Sequence, residues 1–274
     1  MSFNMQQMKF DETGAKALHD KITLAELDET TSTNDFLKRQ SVPDGTGILV
    51  ATARYQTAGR GQGTNRWESE RGKNLLFSIL VRPVSVPVSG QFVLSMACAL
   101  ALTEALQHYA GFFTLKWPND IYWHDSKISG TLIETSVSGH TLSRCIFGIG
   151  LNVNQRNFRS DAPNPVSLSS ILGHEVPLRE VLDAVLREFC KYYAMVEEGR
   201  YDEVARLYNA SLYRRDGFHT YRDANGLFTA RISRVGLDGR LYLALPDGME
   251  RSYAFKEVAF VLKGKAEMRN GEMV

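Results

Sequence analysis

The first 30 residues of the chain are polar and weakly patterned, and a clear hydrophobic pattern begins only after Gly45. Ile48-Leu49-Val50-Ala51 and Leu75–Val81 are short unbroken apolar runs, as expected of strands covered on both faces. Between them, Gln56 to Lys73 is polar and glycine-rich, too long for a plain connection. From Ser89 to Tyr109 small and apolar residues (Phe92, Val93, Met96, Ala97, Leu100, Ala101) recur at helical spacing, and Gly111 is a plausible stop. Strand-like runs follow at Phe113–Trp117, Ile128–Val137 and Cys145–Val153. Leu178, Val181, Leu182, Val185, Leu186, Phe189, Tyr192, Tyr193 and Val196 recur every three or four residues and predict an amphipathic helix. A second helix is predicted over Tyr201–Leu212. After Arg214, short alternating segments are divided by Asn225-Gly226, Asp238-Gly239 and Asp247-Gly248, dipeptides that tolerate the positive φ of tight hairpins. Residues 214–264 therefore predict a small β-barrel of about five strands. The pattern divides the chain into a mixed α+β domain over 1–213 and a β module over 214–274.

Composition narrows the class of protein. The chain has 274 residues, 43% hydrophobic and 23% charged, ordinary values for a globular protein with a sizeable core. Its 32 basic and 31 acidic residues leave a net charge of +1, which argues against a nucleic-acid backbone as the main partner. Cys98, Cys145 and Cys190 are odd in number and lie in apolar stretches, as buried thiols of a reducing compartment do. No Cys-x-x-Cys and no histidine pair at zinc-ligand spacing exists, so no metal held by side chains is expected. The N-terminus has no charged stretch leading into an apolar run, and no run of about 18 apolar residues exists. A cytoplasmic protein without a membrane span is expected.

Four segments carry candidate chemistry. Thr31-Ser32-Thr33-Asn34 precedes helix-forming residues and reads first as an N-cap. It is equally a donor and acceptor cluster suited to a carbonyl or carboxylate. In Gly59-Arg60-Gly61-Gln62-Gly63-Thr64-Asn65-Arg66-Trp67, alternating glycines let backbone N–H groups approach an anion, and two arginines add charged donors. It is neither a Walker A loop nor a dinucleotide fingerprint. Lys116-Trp117-Pro118-Asn119-Asp120 sets a lysine at the end of a buried strand, where it can neutralise phosphate oxygens or a developing oxyanion. Lys127–Glu134 and Gly148–Asn154 are strands carrying small residues where something must approach their backbone.

In this order and spacing the segments resemble the biotin–protein ligases. Gly59-Arg60-Gly61 is similar to that family's Gly-Arg-Gly loop, Lys116–Asp120 to its Lys-Trp-Pro-Asn-Asp motif, Lys127–Gly130 to its Lys-x-x-Gly strand, and Gly148–Asn152 to its Gly-x-Gly-x-Asn strand. The motifs span about Thr30 to Val153. The resemblance implies a catalytic domain related to class II aminoacyl-tRNA synthetases, with a mixed β-sheet flanked by helices, followed by an SH3-like barrel. It implies that ATP with Mg2+ activates biotin as biotinyl-5′-adenylate, and that a lysine of a biotin carboxyl carrier domain, in acetyl-CoA carboxylase or a related carboxylase, then attacks the mixed anhydride. It assigns catalysis to Lys116 and Arg60, and biotin binding to Ser32, Thr33, Asn34, Gln56, Gly59, Lys116, Gly130, Leu132 and Gly148. It assigns nucleotide or adenylate binding to Arg60, Gly61, Gln62, Arg66, Trp67, Asn119, Lys127 and Asn152.

This chain departs from the commonest bacterial pattern where the loop continues with Gln62 in place of an arginine, leaving fewer charges over the anhydride unless Arg66 or Arg71 substitutes. Too few residues precede the first motif for the DNA-binding domain that some members carry, so no operator binding is expected. A homodimer through a sheet edge is compatible with the resemblance. Two other readings are a lipoate–protein ligase, whose pattern around the activating lysine differs, and a non-enzymatic biotin-binding regulator, which leaves Lys116 and Arg60 unexplained.

Overall fold

The computed structural model describes residues 4–7, 22–40, 47–63, 65–159 and 164–262; Thr64 of the glycine-rich segment and the end of the C-terminal module, 263–274, lie outside them. An eight-stranded sheet is formed by β1 (Asn4–Gln7), β2 (Ile22–Thr30), β3 (Ile48–Gln56), β4 (Leu75–Val81), β5 (Phe113–Lys116), β6 (Asp120–Trp123), β7 (Ser126–Ser138) and β8 (Thr141–Leu151), in the order β1-β2-β3-β4-β8-β7-β6-β5. β2 and β3 pair in parallel, and the other neighbours are antiparallel. β4 is central, which is why its whole run is apolar save Ser78. Leu75, Phe77, Ile79 and Val81 face the main core, while Leu80 joins a smaller core on the other face.

Five α-helices are described: α1 (Thr33–Lys38), α2 (Phe92–Gln107), α3 (Leu168–Leu172), α4 (Leu178–Glu197) and α5 (Tyr201–Ala210); a 3-10 turn, Val88–Gly90, leads into α2. α2 and α4 pack together over one face of the sheet, and Phe147 meets Phe189 edge-on at 5.3 Å. The expectation that no segment is apolar enough to cross a membrane needs correcting: Val88–Gln107 has the length and composition to do so. It is instead apolar all round because neighbours cover it, with Val93 to Leu102 buried throughout. α1 lies on the opposite face, where Phe36 and Leu37 cover Ala25, Ala51, Leu80 and Ile146.

The C-terminal part is an antiparallel five-stranded sheet of β9 (His219–Asp223), β10 (Gly226–Val235), β11 (Leu241–Ala244), β12 (Glu250–Tyr253) and β13 (Ala259–Phe260), ordered β12-β11-β10-β9-β13. Its hairpins fall at the expected dipeptides. Asp223, Asp238 and Asp247 each accept a bond from the backbone N–H two residues on, at 2.8, 3.1 and 2.9 Å. Asn209 of α5 clamps β10 by donating to Val235 O and accepting from Val235 N, at 3.0 and 2.7 Å. The chain entering this sheet pairs with the edge of β5 through Leu115 N to Ser211 O and Tyr213 N to Leu115 O, at 2.9 and 2.8 Å. Trp117 Nε1 donates to Gly239 O at 3.0 Å.

Two local readings change. The weakly patterned N-terminus contains β2, whose Ile22, Leu24 and Ala25 are buried between β1 and β3 while the acidic half Glu26–Glu29 is more open. Half-burial along the strand, rather than across it, erased the alternation. Asn119 and Asp120 are both residue types that favour a turn, yet Asp120 begins β6, because Trp117-Pro118-Asn119 closes a hairpin in which Lys116 and Asp120 are direct partners.

Candidate functional site

Strand register builds the site on the face away from α2 and α4. Leu76, Gly150, Gly130, Asp120 and Lys116 are successive partners from β4 across β8, β7 and β6 to β5. The adjoining row is Ser78, Gly148 and Leu132. The glycines of β8 are there because other groups lie directly on the backbone. A Cβ at Gly150 would come within 2.2 Å of the Trp67 ring, and one at Gly148 within 2.3 Å of Asn34 Oδ1. The result is a shallow slot floored by backbone, with a carboxamide at one end and Asp120 and Lys116 at the other.

The carboxamide end is a buried polar network. Thr33 Oγ1 lies 2.6 Å from Ser78 Oγ, which donates to Asn34 Oδ1 at 2.6 Å. Asn34 Nδ2 donates to Glu134 at 2.7 Å, and Glu134 also accepts from Lys38 at 2.7 Å. Gln56 Oε1 accepts from Thr33 N at 2.8 Å. Ser32 is buried as the N-cap of α1, yet its side chain makes no capping bond. The cluster that reads as a cap thus works across the sheet, and its mutual bonds hold each group in one orientation.

Over the slot folds the glycine-rich loop. Thr57 N and Ala58 N donate to Thr30 O and Thr31 O, Gly61 N to Asn65 O at 2.7 Å, and Trp67 N to Gly59 O at 3.2 Å; Arg60 and Arg66 face each other in an isolated antiparallel bridge. This tight hairpin lays the Trp67 ring along Gly150 and beside Gly130. Arg60 pairs with Asp35 at 2.7 Å and lies 3.9 Å from Glu134. Arg66 is exposed, and Gln62 is half-buried at the loop tip. Arg71 is turned away, bonded to Asp28 at 3.0 Å and to Glu29.

At the far end Lys116 Nζ lies over the rings of Tyr122 and Phe260, at 5.2 and 5.1 Å. Asp120 pairs with Lys127 at 2.7 Å. Burial pulls the Lys116 ammonium below the usual lysine range; Asp120 opposes this, while Lys127 and Arg214 add to it. A desolvated cation with further cations around it suits an incoming anion. Asn119 ties the hairpin turn to β7, donating to Thr131 O and accepting from Thr131 N. Asn152 donates to Val166 O at 3.1 Å, but its Oδ1 is buried without a partner among the described residues, as is Trp67 Nε1. Buried polar atoms left open in this way are suited to a ligand's own polar groups.

The structure therefore gathers Ser32, Thr33, Asn34, Gln56, Gly59, Leu132 and Gly148 at one end of the slot and Gly130, Lys116, Lys127 and Asn119 towards the other, with Trp67 across it. Asn152 sits at the end of β8, its backbone N bonded to Ile128 O. Sequence reasoning assigned no role to Ser78 or Glu134, and it singled out Gly150 only as part of its strand motif. Ser78 had a signal, as the single polar residue in Leu75–Val81. Glu134 had none, since only register brings it to the slot.

Residues 25–152 match the model of the Biotin/lipoate A/B protein ligase family. The chain is 32% identical over 179 residues to the biotin–[acetyl-CoA-carboxylase] ligase of Paracoccus denitrificans, covering 62% of this chain and 73% of that one. It is 28% identical over 234 residues to the bifunctional ligase/repressor BirA of Bacillus subtilis, covering 83% of this chain and 70% of the relative. Among solved structures, the biotin protein ligase from Aquifex aeolicus in complex with biotin and ATP superposes with a TM-score of 0.73 at 27% identity, over 88% of this chain and 99% of that one.

Proposed function

The chain belongs to the biotin–protein ligases of the biotin/lipoate A/B protein ligase family, and from that premise we propose how its own residues activate biotin with ATP and pass it to a carrier lysine. The slot fits a flat bicyclic ligand. The network of Thr33, Asn34, Gln56 and Ser78, with the neighbouring Ser32, offers donors and acceptors for a ureido ring, and the side-chain-free backbone of Gly130 and Gly148 lets the groups above it shift to admit the ring. The carboxylate then points along the glycine row to Lys116. There it attacks the α-phosphorus of ATP, the bond to the bridging oxygen breaks, and pyrophosphate leaves. In the second step the uncharged amine of the carrier lysine attacks the carbonyl of the mixed anhydride, AMP leaves, and an amide remains. In both steps Lys116 faces the oxygens on which negative charge is concentrated. The open Oδ1 of Asn152 suits an exocyclic amino group such as adenine's. Among the described residues no group of three or more His, Cys, Asp or Glu side chains could hold a metal by itself. Magnesium would arrive on the nucleotide's phosphates. The acceptor is a biotin carboxyl carrier domain, and the three free buried cysteines accord with a reducing, cytoplasmic setting.

The observation that carries this reading is the half-buried Lys116 at the end of a glycine-floored slot roofed by Trp67. Its test is transfer of labelled biotin to a carrier domain, expected only with ATP and accompanied by pyrophosphate release. Transfer of lipoate in preference to biotin, or biotin binding without pyrophosphate, would refute it. A pH dependence also follows. Lys116 acts charged, and its pKa lies below the ordinary 10.5, so activity falls as pH rises through that lowered value. Lys127→Met removes a repelling charge and frees Asp120, which favours protonated Lys116. The alkaline limb of kcat/KM for pyrophosphate release is expected to move to higher pH in that variant; a limb that stays or moves down would contradict the assignment.

A further inference from the structure

The C-terminal sheet reaches the site at two points. Phe260 of β13 covers Lys116 at 5.1 Å. Four residues earlier, on the turn after β12, Lys256 brings its ammonium to the tip of the glycine-rich loop: a Cβ at Gly63 would lie 3.0 Å from Lys256 Nζ. Four residues of chain span at most about 14 Å, so one short segment touches both the loop tip and the activating lysine. Lys256 has φ +72, a left-handed conformation that non-glycine residues adopt rarely and that clusters at functional sites. The segment is held in place by Phe255 packing edge-on to Trp117 at 6.1 Å, in the turn that carries Lys116.

Among the described residues the ammonium of Lys256 meets only the face of the neighbouring Phe255 ring, at 5.8 Å. Its neighbour Glu257 turns to Arg240 instead, at 3.6 Å, and among the described residues no carboxylate pairs with Lys256. Most of the other cations near the loop are less available, and the exposed Arg66 on its outgoing strand is the exception. Arg60 is held by Asp35 and Arg71 by Asp28 and Glu29, while Gln62, beside Gly63, has no charge. An ammonium on a flexible stem is a general phosphate partner.

We propose that Lys256 is an adenylate-binding residue supplied by the C-terminal module: it sits over the loop tip, pairs with the anionic phosphate oxygen of the biotinyl-adenylate, and stands in for the charge that Gln62 does not provide. The proposal rests on the ligase reading and adds that retention of the intermediate depends on a lysine outside the 25–152 region that defines the family match.

The test uses the full chain, loaded with biotinyl-adenylate from biotin and Mg·ATP and then freed of excess ligand, with loss of the adenylate followed in time. Lys256→Ala is expected to speed loss about tenfold, the usual scale of one charged hydrogen bond. Lys256→Arg should stay near wild type, and Gln62→Arg should restore retention in the Lys256→Ala background. The thermal midpoint of the unliganded chain should be unchanged, whereas a merely structural lysine would lower it and would not be rescued at position 62. Unchanged adenylate loss in Lys256→Ala, or equal acceleration with and without Gln62→Arg, would overturn the proposal. If the wild-type chain releases no pyrophosphate from biotin and ATP, the ligase reading itself fails, and this shows before any variant is compared.

Discussion

Lys116→Ala is expected to lower the rate of biotinyl-adenylate formation by a factor of roughly 10²–10³, the scale for losing one preorganised charge donor. The reason lies in how the lysine is held. β5 is paired on one edge with β6 and on the other with the chain at Ser211–Tyr213, so the backbone cannot yield. The lysine's ammonium lies over the rings of Tyr122 and Phe260, at 5.2 and 5.1 Å, which restrict it. A carboxylate and an α-phosphate must meet there, and without a cation between them their repulsion adds to the barrier. Folding should survive, because Asp120 keeps Lys127 as its partner at 2.7 Å and is not left unpaired. A burst of pyrophosphate on mixing with biotin and ATP, together with thermal unfolding, measures both effects. Near-normal turnover in the variant would remove Lys116 from the mechanism; a collapsed melting temperature would make its role structural.

Gly150→Ala should have the second largest effect, although the change is one methyl group. The new Cβ would lie 2.2–2.6 Å from three atoms of the Trp67 ring, a distance no side-chain rotation of alanine relieves. The ring must lift, and with it the hairpin that Trp67 N and Gly59 O close. Such overpacking typically costs about 1–3 kcal/mol. A comparable cost should fall on ligand binding, because the roof of the slot is displaced: biotin affinity, measured by titration calorimetry, is expected to fall by tenfold or more. Gly111→Ala is the control, since nothing lies within 4 Å of its added Cβ. Equal biotin affinity in the two variants would mean that Trp67 does not roof the ligand.

Much of the architecture could be read along the chain because burial leaves a local trace. An amphipathic repeat marks α4, an unbroken apolar run marks β4, and the Asp-Gly and Asn-Gly pairs mark the hairpins of the C-terminal sheet. β2 escaped because its burial changes from end to end, so no period survives. β6 escaped because the same residues, Asn119 and Asp120, suit both the turn they leave and the strand they enter.

The site divides in the same way. Lys116, Arg60, Trp67 and the strand glycines were recognisable as residue types in a spacing, since a lysine ending a buried strand and glycines within one are costly without a purpose. Their meeting was not recognisable. The row from Leu76 through Gly150 and Gly130 to Lys116 arises from the register of five strands, and register depends on pairings between distant segments. The same holds for Ser78 joining Thr33 to Asn34, for Arg60 turning to Asp35, and for Lys256 reaching Gly63 from the second sheet. Local order in the chain is enough to specify which groups take part, because each carries its own chemistry. Where they stand, and which charges are left free for a substrate, follows from long-range packing that no single segment encodes.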